Sequence, residues 1–192
     1  MGRPKQFDPD LAVERAMEVF WSKGYAATTP QDLVDALGIG KGSLYNTFGS
    51  KRELFERALC RYRDGQALAL VELLEADGPV KELLRRTLRL LAEMDLADPG
   101  RRGCMAVNTA AELGGRDEEA VALVRRMFDR TEDAFRALIE KGQRTGEIAA
   151  GRDARGVGSL LLNTVIGLRL MARVADGPER LDRVIDAVID GL

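Results

Sequence analysis

The stretch from Thr28 to Lys51 constrains this chain most. Thr29 is a good helix N-cap, and Pro30 suits the first helical position, where a missing N–H costs nothing. Leu33, Val34 and Leu37 follow at helical spacing, and Gly38 supplies the positive φ that ends a helix. Ile39 is an apolar plug in the turn. The next helix, about Gly40 to Thr47, is too short to stand alone and has to be held by Leu44 and Phe48. That leaves Lys41, Gly42, Ser43, Tyr45 and Asn46 facing outward. Two short helices, a glycine turn and a polar second helix form the helix-turn-helix arrangement, whose second helix enters a DNA major groove.

The remaining segments are also helical. Asp8 and Pro9 open a helix carrying Leu11, Val13, Ala16, Met17, Val19, Phe20 and Trp21 up to Gly24. Ser50 and Glu53 form a capping-box pattern ahead of a long helix to about Ala76, interrupted at Gly65. Asp77-Gly78-Pro79, Asp98-Pro99-Gly100 and Gly114-Gly115 break the chain further on. Helices are expected from Pro79 to about Leu96, Gly103 to Leu113, Asp117 to about Lys141, Asp153 to about Ala175, and a last one to about Asp190. No segment alternates with strand period. The expectation is an all-α fold of about nine helices. Residues 1–52 form a three-helix DNA-reading domain, fused to a larger helical ligand-binding and dimerisation bundle over residues 53–192.

Composition narrows the function classes. Residues 1–52 hold seven Lys and Arg against six Asp and Glu; the remainder holds 22 against 25. A net charge of −2 argues against non-specific coating of nucleic acid. The absence of histidine removes the commonest general base and metal ligand, and neither a phosphate loop nor metal-spaced cysteines occur. No enzyme, cofactor or metal is therefore expected. Two cysteines, Cys60 and Cys104, make no disulfide framework. With no apolar run long enough for a membrane span and no leader pattern, the expected location is the cytoplasm.

The helix ending in Lys23-Gly24-Tyr25, the capped helix pair, Lys41-Gly42-Ser43-Leu44-Tyr45-Asn46-Thr47-Phe48, and then Ser50-Lys51-Arg52-Glu53-Leu54-Phe55 resemble the N-terminal domain of TetR/AcrR transcriptional regulators. The resemblance covers residues 7–60. It implies a homodimeric repressor on a palindromic operator, with a cavity in the C-terminal bundle and release of DNA when a small-molecule effector binds. By position, Lys41, Gly42 and Ser43 start the recognition helix, Tyr45 and Lys51 match phosphate contacts, and Asn46 lies near the bases. Thr29 caps the supporting helix beside a phosphate, with Thr28 and Gln31 as neighbouring candidates, and the basic arm with Arg3 and Lys5 would add phosphate or minor-groove contacts. Pro30, Gly40 and Gly49 depart from the usual family pattern, so base specificity does not transfer.

Within the bundle, the candidate ligand residues are Cys104, Met105, Asn108, Glu112, Phe128 and Asn163. Each has an ordinary structural reading as well: Cys104 as a small buried hydrophobe, the polar residues as satisfied hydrogen-bonders, Met105 and Phe128 as core. Gly103-Cys104 is similar to a segment in a subgroup of the family, some of whose members respond to electrophiles or oxidants. Arg101 and Arg102 would favour the thiolate, so a thiol-sensing repressor acting through Cys104 is the alternative function. An interaction protein without ligand response is the other rival. Finally, residues 160–171 are apolar on nearly all sides, and a helix of that kind is buried. The expected cover is a second copy, in a four-helix interface using Leu161, Val165, Leu168, Met171 and, on the last helix, Ile185; the alternative is a single central core helix.

Overall fold

The computed structural model describes residues 7–192, the side chains of residues 66 and 67 excepted. All regular structure among them is helical: α1 Pro9–Lys23, α2 Pro30–Leu37, α3 Lys41–Phe48, α4 Lys51–Tyr62, α5 Leu68–Leu74, α6 Val80–Ala97, α7 Met105–Leu113, α8 Glu118–Thr145, α9 Ala154–Met171 and α10 Glu179–Asp190. A π-helical turn, Arg63–Ala67, joins α4 to α5 where Gly65 was expected to interrupt one long helix. Counted as one rod, α4–α5 brings the total among the described residues to nine. None of these helices is long and apolar enough to cross a membrane.

Local chemistry sets most of the boundaries. Asp8, Thr29, Ser50, Asp117 and Asp153 each accept a backbone N–H through the side chain at a helix start. At Thr29 the capping box is complete: its hydroxyl accepts from Asp32 N–H, while the Asp32 carboxylate accepts from Thr29 N–H at 2.8 Å. The box expected at Ser50 is only half made. Glu53 N–H donates to Ser50 Oγ at 3.1 Å, but Ser50 N–H donates to the Phe48 carbonyl instead. Helix α8 runs four residues past its expected end. Gly142 is helical and buried there, and glycine suits the site because a Cβ would stand 2.8 Å from the Ile148 side chain.

Two apolar cores organise the chain. One gathers α5, α6, the second half of α8, α9 and α10 around Leu84, Leu88, Phe135, Ile139, Leu161 and Ile185. The other joins α1–α4 to α7 and the first half of α8 through Phe20, Phe55, Leu59, Met105, Ala120 and Met127. Phe128 and Ile166 touch both. Helices α1–α4 therefore share their interior with the body and do not hang from it by α4 alone.

The expected dimer residues need correction. Leu161, Val165, Leu168 and Ile185 are between 0% and 6% exposed within a single chain, and half-buried Met171 packs on the same core. α9 presents positions 161, 165 and 168 to α8, which is one helical face. The apolar residues left outside are Leu160 and Leu170, each about half exposed, followed by Val174.

Candidate nucleic-acid interface

Helix α3 is built as its short length demands. Leu44 and Phe48 are at most 2% exposed and anchor it to the second core. Lys41, Gly42, Ser43 and Asn46 are exposed, and Tyr45 is half-buried. Gly40 gives α3 no side-chain cap, so the free N–H groups of its first turn remain available to an anion. A Cβ built on Gly42 meets nothing within 4 Å, so the protein itself has no steric need for glycine there. Ahead of α3, Gly38 adopts φ 66°, the left-handed turn expected of it.

The supporting residues divide. Thr29, the cap of α2, and Gln31 in its first turn are both exposed, with Gln31 donating to Asp35 at 2.7 Å. Thr28 is not a surface residue: it is 1% exposed and its hydroxyl donates to the Gly24 carbonyl at 2.6 Å. Returning that hydroxyl to the end of α1 spares a buried unpaired donor, and removes Thr28 from any DNA contact. Lys51, expected as a phosphate contact, is already engaged inside the protein. Its ammonium donates to the carbonyls of Tyr25 and Thr28, both at 2.8 Å, and lies 4.3 Å from the centre of the Tyr25 ring. It ties the start of α4 to the α1–α2 turn, with one N–H to spare. Arg3 and Lys5 lie outside the described residues.

Lys23 reaches Asp32 at 2.6 Å on the flank of α2. That bond, then the backbone and hydroxyl of Thr29, hold the Asp32 carboxyl down at about 2.

The six candidate ligand residues do not converge on one site. Cys104 and Met105 lie in the second core, with half-buried Phe128 packed against it. Asn108 donates to the Arg102 carbonyl at 2.8 Å and accepts from Arg173 at 2.9 Å. Asn163 is exposed and donates to the Ser159 carbonyl, so it faces away from the bundle interior. Glu112 reaches out of the body: its carboxylate accepts from the N–H groups of Tyr25 at 2.9 Å and Ala26 at 2.6 Å.

A buried polar cluster at the junction of the two cores was not anticipated. The Arg169 guanidinium donates twice to Asp95, each at 2.8 Å, and once to the Gly103 carbonyl at 3.3 Å. The Tyr62 hydroxyl donates to Cys104 Sγ at 3.3 Å, and the Trp21 indole donates to the Gly103 carbonyl at 3.1 Å. Burial, joined by the neighbouring Cys104, pushes the Tyr62 phenol well above its ordinary value, so it stays a neutral donor. For Arg169, burial works against the charge, but Asp95, with Tyr62 and Cys104 beside it, turns the balance upward. The signal in the sequence was Arg169 itself, the one charge in the largely apolar stretch of residues 160–171.

Comparison with known proteins agrees with this geometry. Residues 12–58 match the bacterial regulatory proteins of the tetR family, and residues 83–188 match the tetracyclin repressor-like C-terminal domain. The chain is 36% identical over its whole length, and that of its relative, to YezE of Bacillus subtilis, an HTH-type transcriptional regulator. It is 28% identical to the Escherichia coli HTH-type transcriptional repressor ComR, covering 95% of this chain and 88% of that one. Among solved structures, a cysteine mutant of the TetR family regulator CifR, complexed with 26-base-pair operator DNA, superposes with a TM-score of 0.85 at 31% identity, covering 98% of each chain.

Proposed function

We infer that this chain, which belongs to the tetR family of bacterial regulatory proteins, represses transcription by seating α3 in the major groove of a palindromic operator. Residues 1–52 act as the reader and residues 53–192 as the body. Lys41, Ser43 and Tyr45 offer a charge, hydroxyls and a helix N-terminus to phosphate, while the Asn46 amide reaches base edges. Two copies pair through the outer face of α9, where Leu160, Gly167 and Leu170 line up, Gly167 with open space above it. A small molecule that prefers a body conformation with a different reader spacing releases the DNA.

Gly42 carries this reading. Glycine is a poor helix former, costing up to about 1 kcal/mol against alanine. Nothing inside the protein explains it here, because a Cβ would meet only solvent. Close approach to an outside surface does explain it. Gly42→Ala is therefore expected to act with opposite signs: a higher melting temperature and weaker operator binding in a gel-shift assay. Operator binding that rises or stays level with stability would remove Gly42 from the interface.

A further inference from the structure

The turn between α1 and α2 is gripped from two sides. From within the reader, Lys51 takes the carbonyls of Tyr25 and Thr28. From the body, Glu112 near the end of α7 takes the N–H groups of Tyr25 and Ala26. The pairing is reciprocal, a cation on carbonyls and an anion on amides, and 86 and 87 residues of sequence separate the Glu112 contacts. Gly24 makes the approach possible: it has φ 81°, and a Cβ there would stand 2.8 Å from Glu112 Oε2.

The turn leads directly into the helix pair that would read DNA. Thr29, which caps α2, follows it within three residues, and α2 carries α3 through Leu33, Leu37 and Leu44. The rest of α7 packs on α8 and α4, and the segment before it is also tied to α1 through Trp21 and Glu18. Met105, Ala106 and Val107 are buried, and the segment leading into it is held by Arg169 on the Gly103 carbonyl and by Arg102 on Asp98. The Glu112 carboxylate carries a shift of α7 to the α1–α2 turn itself, through two amides.

Resting on the functional reading above, we propose that Glu112 is the positioning residue by which the body sets the reader: its carboxylate pins the α1–α2 turn and so selects the half-site spacing that the dimer accepts. With the pin in place each reader is held at one angle. Without it each samples several, the competent state is less populated at the native spacing, and other spacings become accessible.

The test uses the full chain, as wild type, Glu112→Gln and Glu112→Ala, and a site recovered by wild-type selection from random DNA. Two further duplexes have the centre of that site lengthened or shortened by one base pair. Wild type is expected to prefer the native spacing by roughly tenfold or more, and Glu112→Ala to lose most of that preference, chiefly through weaker binding at the native spacing. Glu112→Gln, which keeps one acceptor, falls between them. Hydrogen exchange of the Tyr25 and Ala26 amides in DNA-free protein should quicken in Glu112→Ala, with α3 amides unchanged. Equal loss on all three duplexes would show a merely structural role and overturn the proposal, as would unchanged amide exchange. Failure of the wild type to select any site would instead overturn the functional reading.

Discussion

Asp32 shows how a single side chain ties stability to the reader. It completes the Thr29 capping box and accepts from Lys23, and its carboxyl is held down at about 2. A group whose folded pKa is depressed stabilises fully above its unfolded value, about 3.9. That stabilisation is lost as pH falls through about 2. Thermal melting of the wild type should therefore drop across this acid window more steeply than that of Asp32→Asn, which starts lower at neutral pH. Parallel curves for the two proteins would show that the negative charge on Asp32, beside Lys23 and Thr29, contributes nothing. The cap at Thr29 was legible in the sequence because it is made three residues away. The roles of Lys51 and Glu112 were not, because each is decided by a carbonyl or amide that only the fold brings near.

Helix α9 marks where reading by element succeeds and where it stops. Its existence and its start at Asp153 follow from a local cap and an apolar period. Which of its faces turns inward does not, since apolar residues stand on both sides. Packing against α8 decides it, and buries Leu161, Val165 and Leu168 while leaving Leu160 and Leu170 outside. The two faces should answer differently to mutation. Leu168→Ala is expected to cost about 2–5 kcal/mol in denaturant unfolding, as core truncations do. Leu170→Glu should leave the fold intact and shift the protein to a monomer in sedimentation velocity. A dimer that survives Leu170→Glu together with Leu160→Glu would refute the outer face of α9 as the contact. The end of α8 teaches the same lesson: the helix expected to end at about Lys141 runs on to Thr145, with Gly142 closely packed by Ile148.

At the scale of the whole molecule, the reader and the body are joined by more than a shared helix. The core of α1–α4 continues into α7 and the first half of α8. Polar ties add to it: Trp21 to Gly103, Arg102 to Glu18, Arg52 to Asp117 and Glu112 to the α1–α2 turn. The all-α class and the helix-turn-helix motif could be read from residues 28–51, because caps, turns and apolar spacing are local. The second core and the Asp95–Arg169–Tyr62–Cys104 cluster could not, being assembled from α4, α6, α7 and α9. Operator recognition by two rigidly held copies of α3 is the central claim, and selection of bound duplexes from random sequence tests it most directly. The account predicts enrichment of a two-fold symmetric site with half-site centres about 34–36 Å apart along the helix, or a multiple of one turn. Recovery of a lone half-site, or no enrichment over the starting pool, would contradict it.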